Sequence, residues 1–304
     1  MASVNIPIAD ILHLLGQPQL IGKSDTFVNK LVELNGENDD PHALFWCSKK
    51  NEFKLKNVAT GVIIVAADCD LTNVNQECIF ILVDKPRHAF KMILEAYFLP
   101  KKKEPSISPK ASIDPSVVLG SDATVGHFTV IEEKCIIGDN VTIGNNTVIL
   151  ANTIIENGVS IGSNCTIGGV GFGYEKNEEG NFELIPHIGN VHLCENVEIG
   201  NNTCIDRAVL GSTKLERNVK VDNLVHIAHG VHIGANSLII ANSLVAGSCK
   251  IGKNVWVAPN AVIKNGVHVG DDAVIGLAAV VLKNVNKGEV IIGNPGKPLI
   301  KSGS

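Results

Sequence analysis

Residues 141–167 read VTIGNNTVILANTIIENGVSIGSNCTI, and an aliphatic side chain recurs in them at every sixth position: Ile143, Ile149, Ile155, Ile161 and Ile167. A period of six matches neither the helical repeat nor the two-residue alternation of an ordinary strand. The pattern reaches back to Ile113 through Leu119, Val125, Ile131 and Ile137. It returns at Leu193, Ile199 and Ile205, slips by four residues around Gly211, then runs from Leu215 to Val281. A short flat strand and a bend every six residues close a triangular prism with three hexapeptides per turn, about eight coils in all. The recurring aliphatic points into the prism, and small residues two places before it (Val141, Thr147, Thr153, Val159, Cys165) suit its crowded corners. Gly, Asn and Asp follow, as in Ile143-Gly144-Asn145-Asn146, where the bend asks for permissive backbone angles.

The remaining composition agrees with such a prism. The chain has 304 residues, 45% of them hydrophobic but only 4% aromatic, as expected of a thin core filled with Ile and Val. A net charge of −5 and the lack of a long basic run argue against nucleic-acid or anionic-membrane surfaces. No apolar run approaches bilayer length and no basic segment precedes a long apolar one near the start, so a cytoplasmic location without a transmembrane segment is expected. Eight cysteines include no CxxC pair, and Cys135, Cys165 and Cys249 fall at the small corner position, so reduced, packed thiols are expected.

Three regions follow from the pattern. Residues 1–105 lack the repeat and read as a small α/β domain and linker, to which the family resemblance given below adds nucleotide binding, with a helix over Ala9–Leu15 ended by Gly16 and buried strands at Val62–Val65 and Ile79–Val83. A second helix opens at Pro86 and is followed by a linker from Leu99 to Ser108 that contains the Lys101-Lys102-Lys103 run. Residues 106–287 form the prism, and 288–304 a tail. Residues 168–190 interrupt the prism with Gly168-Gly169-Val170-Gly171-Phe172-Gly173-Tyr174. No helix signal follows these glycines as a dinucleotide fingerprint requires, so they read as a loop and a candidate cleft wall carrying Phe172 and Tyr174.

The densest group of titratable residues in the repeat spans Asp222 to His232 and contains His226, His229 and His232. A neutral imidazole accepts a proton from an attacking amine or hydroxyl near neutral pH. Asp222 is a candidate to orient it. One coil after His229 comes Gly247, whose unobstructed N–H would face a developing oxyanion. A base and an oxyanion donor are the minimum apparatus of acyl transfer. The zinc site of γ-class carbonic anhydrases, which share the prism, needs two histidines five apart and a third two coils away. His187 and His192 have the first spacing but Ala151 occupies the third place, so no metal is expected.

Over nearly its whole length the chain resembles the UDP-3-O-acylglucosamine N-acyltransferase family of lipid A biosynthesis. The resemblance is carried by Arg87-His88-Ala89-Phe90, Ile113-Asp114-Pro115-Ser116, Gly168–Tyr174, Ile185-Pro186-His187, Ile205-Asp206-Arg207, Asp222-Asn223 and above all Ile227-Ala228-His229. It implies a left-handed parallel β-helix with a small N-terminal α/β domain, and a homotrimer with sites in clefts between prisms. It also implies His229 as base, Asp222 as its support and Gly247 as oxyanion donor, with His187 and His226 at the substrate. In that family an aromatic, Asn and Tyr hold the uracil; here Phe45 remains while Ser48 and Asn51 replace the others. Val267 stands where the family carries a second histidine, and the ending Gly293-Asn294-Pro295-Gly296-Lys297 resembles that of coenzyme A-dependent hexapeptide acetyltransferases, which points to Asn294 and Lys297 at a cosubstrate.

These departures direct the main expectation to N-acylation of a nucleotide-linked amino sugar for a surface glycan, with acyl-coenzyme A as cosubstrate and no permanently bound cofactor. The alternative is the lipid A enzyme itself, using a 3-hydroxyacyl carrier protein. A noncatalytic nucleotide-sugar-binding scaffold is the third reading.

Overall fold

The computed structural model describes residues 5–34, 38–99 and 104–298, and the chain divides into two compact units, Met1–Lys103 and Glu104–Ser304. The Lys101–Lys103 run and the last residues of the expected tail lie outside the described residues.

The first unit is built on a five-stranded sheet in the order 19–21, 78–83, 61–66, 43–46, 30–31, antiparallel at the first pairing and parallel at the rest. Its central strand, Gly61–Ala66, is apolar throughout because both faces are covered. Val62 and Ile64 join Ile8, Ile11, Ala89 and Ile93 in one cluster, while Ile63 and Val65 join Phe45, Leu55 and Phe80 in the other. The helices fall at Ile8–Leu14 and Pro86–Ile93, close to their expected positions. A one-sided pattern did not reveal the 3-10 turn at Lys49–Asn57, whose Leu55 caps the second cluster.

The second unit is a parallel β-helix. Two-residue strands stack with partners 18 residues apart, as in Ile143 with Ile161 and Val148 with Thr166. Three sheets of ten, nine and eight strands result, so eight coils carry a strand on every face. The inward aliphatics form one continuous core from Val125 to Ile291. Buried hydroxyls at the small position bridge successive coils: Thr147 donates to the Gly162 carbonyl at 2.8 Å and accepts from the Cys165 amide at 3.2 Å, leaving neither polar group unpaired.

The bends need a left-handed backbone. Asn140, Asn146, Asn152, Asn164, Asn202 and Asn242 all have φ between 54° and 65°, a region Asn tolerates better than other side chains. The stretch at 168–190 is more ordered than a plain loop. Thr166–Val170 extends a core strand that pairs with Cys204–Arg207, and Tyr174–Lys176 pairs with Phe182–Leu184 as a hairpin. The prism also continues past 287: Val285 bridges Val269, and Val290–Ile292 pairs with the strand at 274–275. The sixfold spacing persists at Val285 and Ile291 after a shortened coil, which the search for an unbroken period overlooked.

Ala278 occupies one of the left-handed bends, at φ 52°, without Asn's tolerance. Ala278→Asn should raise stability by about 1 kcal/mol, and Asn202→Ala should lower it by about 1 kcal/mol. Urea denaturation of the two variants measures both signs.

Candidate active site

His229 sits in the bend between the strands His226–Ile227 and His232–Ile233, and its carbonyl accepts the Ser248 amide of the next coil at 2.9 Å. That bond brings Gly247 over the imidazole. A Cβ at Gly247 would lie 2.7 Å from His229 Nε2 and 2.8 Å from Cε1, so no other residue fits without moving the ring. Many of the equivalent bend amides at the other two corners of the prism bond to side chains; those of Asn145 and Lys253, for example, donate to Ser163 and Asp271. Among the described residues the Gly247 N–H has no such acceptor.

The insertion covers the other side of His229. A Cβ at Gly171 would come within 2.7 Å of both His187 Nε2 and His229 Cβ, which explains the glycine there. His187 is 7% exposed and stands edge-on to His229, ring centroids 5.2 Å apart and planes at 81°. Its Nδ1 donates to the Ile185 carbonyl at 2.7 Å, which leaves Nε2 an acceptor in the neutral ring. Buried, that Nε2 has no partner among the described residues. His229 and Gly247 line a cavity of about 350 Å³ with Phe172, Asp206, His226, Leu244 and Asn265.

Burial pushes the His229 imidazole below the ordinary histidine range. The nearby His187 acts in the same direction, and the Asp206 carboxylate partly offsets both. Burial likewise raises Asp206, against the pull of His226, His229 and His187. Asp206 is the carboxylate whose charge reaches His229, and the expected support, Asp222, bonds elsewhere. Asp222 accepts from the Asn223 amide at 2.7 Å and the Ala241 amide at 3.2 Å, so it clamps a bend. Asp206 follows inward Ile205 as Ala228 follows Ile227, one coil later. The four-residue slip between those coils hid this alignment from counting by 18.

The other expected residues scatter. His226 lies 3.6 Å from Asp206, whereas His232 turns to Glu216 at 3.1 Å on the next face, so the three histidines do not converge. Phe172 is 86% exposed at the cavity and packs on Tyr174 with centroids 4.9 Å apart. Phe45 is corrected outright: only 1% exposed, it fills the core beneath the 3-10 turn and offers no ring face to a nucleotide base. Ser48 precedes that turn and its carbonyl accepts the Asn51 amide at 2.8 Å, a local backbone role. The exposed aromatic of this segment is Phe53, beside a separate cavity of about 240 Å³ with Lys56, Thr72 and Asn73. Asn294 and Lys297 are exposed in the closing hairpin and do not line the cavity at His229.

Residues 134–169 and 248–282 match the family model described as bacterial transferase hexapeptide (six repeats). UDP-3-O-acylglucosamine N-acyltransferase 2 of Legionella pneumophila is 37% identical, covering 95% of this chain and 88% of that protein. The chain belongs to the UDP-3-O-acylglucosamine N-acyltransferase family. Another member, from Campylobacter lari, is 41% identical over 72% of each chain. The solved structure of LpxA from Acinetobacter baumannii superimposes with a TM-score of 0.58 at 25% identity, over 64% of this chain and 73% of that one. The fold is the left-handed parallel β-helix of this acyltransferase group.

Membership overturns the main functional expectation. Acyl-coenzyme A transfer for a surface glycan is not the activity for which the Legionella and Campylobacter relatives are named, and the cosubstrate role of Asn294 and Lys297 loses its basis with it. Similarity along 95% of the chain outweighs the local departures at Ser48, Asn51, Val267 and the Gly293–Lys297 ending. The chain is an acyltransferase, and no helix among its described residues is long and apolar enough to cross a membrane.

With His229 held low by burial, the base form is populated at neutral pH and is lost as pH falls through its depressed value. Asp206→Asn removes the group that raises His229, so the acid limb of kcat/KM should move to lower pH. His187→Gln removes a group that lowers it, so the limb should move to higher pH. Profiles of kcat/KM against pH for both variants measure the directions, and an unmoved limb would assign it to another residue.

Proposed function

We propose that this protein transfers a 3-hydroxyacyl group from an acyl carrier protein thioester to the amine of UDP-3-O-acylglucosamine, the lipid A step, as a cytoplasmic homotrimer. The observation that carries the reading is His229, half-buried, held neutral and pressed against Gly247. Its imidazole takes a proton from the sugar amine as the nitrogen attacks the thioester carbonyl. The carbonyl oxygen becomes an oxyanion, which the unpaired Gly247 N–H receives. Collapse breaks the carbon–sulfur bond, the thiolate takes the proton from His229, and the products are an amide and a free thiol.

Asp206 favours the imidazolium that exists between these proton transfers. Phe172, exposed at the rim and braced by Tyr174, supplies an apolar wall for the acyl or sugar portion. His226 stands beside Asp206 at the same cavity and would meet polar substrate groups.

Mass spectrometry of UDP-3-O-acylglucosamine incubated with a 3-hydroxyacyl carrier protein or the corresponding acyl-coenzyme A tests substrate and donor together. A mass gain with the carrier protein is expected, and a preference for coenzyme A would overturn the donor assignment. His229→Ala should reduce kcat by about 10²- to 10⁴-fold with a smaller change in substrate binding. Near-normal turnover in that variant would remove His229 from the mechanism.

A further inference from the structure

On the prism corner that ends the strands at 118–119, 136–137, 154–155 and their successors, the residue after the inward aliphatic forms a column: Gly120, Gly138, Glu156, Cys194, Glu216, Gly234, Gly252, Gly270. Each amide of the column bonds to the carbonyl of the aliphatic one coil on, as Glu156 does to Leu193 and Cys194 to Leu215, both at 2.9 Å. Glycine is the rule there for a steric reason. A Cβ on Gly234 would lie 2.6 Å from the Gly252 carbonyl carbon, and one on Gly252 would lie 2.5 Å from Asp271. Three consecutive coils break the rule, and all three do so with a side chain that binds metal ions.

The fourth member comes from the adjoining strand. His192 Nε2 is 2.6 Å from Glu156 Oε1 and 4.0 Å from Cys194 Sγ, and one donor atom from each of the three residues lies within 4.8 Å of the others. Glu216 Oε2 is 4.0 Å from the same sulfur. Tetrahedral zinc, with bonds near 2.0–2.3 Å, holds neighbouring nitrogen and sulfur donors about 3.6 Å apart. The histidine–sulfur separation is already close to that, and the carboxylate–imidazole pair has only to exchange its hydrogen bond for two bonds to the ion.

We propose that Glu156, His192 and Cys194 bind one divalent transition-metal ion of the zinc class, with Glu216 or water as fourth donor. One oxygen, one nitrogen and one sulfur donor select a borderline-soft cation over magnesium or calcium, which take oxygen ligands. On binding, the Cys194 thiol releases its proton to solvent as the sulfur–metal bond forms. Without an ion the thiol is inert, since burial and the two carboxylates push it up to about 11. Lys214 and His232, each 3.1 Å from Glu216, offset the negative charge of the donor set.

The position explains what the ion would do. The three coils involved are those whose stacking is disturbed. Ile155 pairs with Leu193 across the 168–190 insertion, and Glu198 pairs with Lys220, 22 residues apart, across the slip. His192 and Cys194 lie on and just after the strand Asn190–Leu193 by which the insertion returns from His187 to the prism. An ion there adds a side-chain link between that strand and the coil before it, beside the regular pairing of Ile155 with Leu193.

The test is titration of the chelator-stripped full-length protein with cobalt(II), followed by zinc competition. One equivalent per chain is expected, with a thiolate-to-cobalt charge-transfer band and the intense visible absorption of a tetrahedral site. Cys194→Ser should abolish the charge-transfer band, and the isosteric Glu156→Gln should weaken binding by about 100-fold. Cys204→Ser, at an exposed cysteine outside the cluster, should change neither. Zinc in excess should raise the melting temperature of the wild type and not of Cys194→Ser. Absence of stoichiometric binding, weak octahedral absorption alone, or a charge-transfer band that survives Cys194→Ser would each overturn the site.

Discussion

Everything in the second unit depends on the close approach of successive coils. Parallel pairing holds neighbouring strands about 4.8 Å apart, and with a bend every six residues the corners are as crowded as the faces. Glycine, asparagine and small buried residues at fixed places in the hexapeptide follow from that crowding. At the corner of the candidate active site the same approach brings two coils into contact. Gly247 can lie against His229 because it has no Cβ, and the coil stacking that seats it leaves its amide free.

The electrostatics of the site follow from this packing. An exposed histidine would be half-protonated just below neutral pH; lowering its value by burial keeps the acceptor available without any specific base-activating contact. Asp206 opposes the effect of burial, so the imidazole is lowered less than burial alone would take it. His226, His229 and His187 in turn oppose the rise that partial burial gives Asp206. The insertion contributes through two glycines that let His187 reach His229, so the loop is part of the base's environment as well as a wall.

The fold was legible in the sequence because the hexapeptide writes one steric requirement many times over. Ile143, Ile149 and Ile155 each repeat the same statement, so a single departure does little harm. Gly247 was legible for the same reason, since it required only a count of one coil from His229. The partner carboxylate was not, because the path from Asp206 to Ala228 crosses the slip, and local nearness favoured Asp222. Phe45 misled differently. Its one-dimensional match to an aromatic motif carried no information on which sheet face it takes, and the strand alternation sends it into the core with Ile63 and Phe80. The expectation of a coenzyme A donor had a similar origin in a short terminal motif whose context, a hairpin closing the prism, the sequence did not display.

Irregularity in such a repeat is therefore more informative than regularity. A coil that keeps the hexapeptide reports only that it must stack; a coil that breaks it reports a second constraint strong enough to outweigh stacking. The insertion at 168–190 breaks it, supplies Phe172 to the cavity and packs His187 against His229. The slip around Gly211 moves the next coil by four residues, and across that shift Asp206 acts on His229. The Glu156-Cys194-Glu216 column breaks the glycine rule between these two disturbances, beside the strand by which the insertion returns to the prism. Each departure has a structural consequence within one or two coils of the base, so the irregular middle of the prism and the candidate active site are one region.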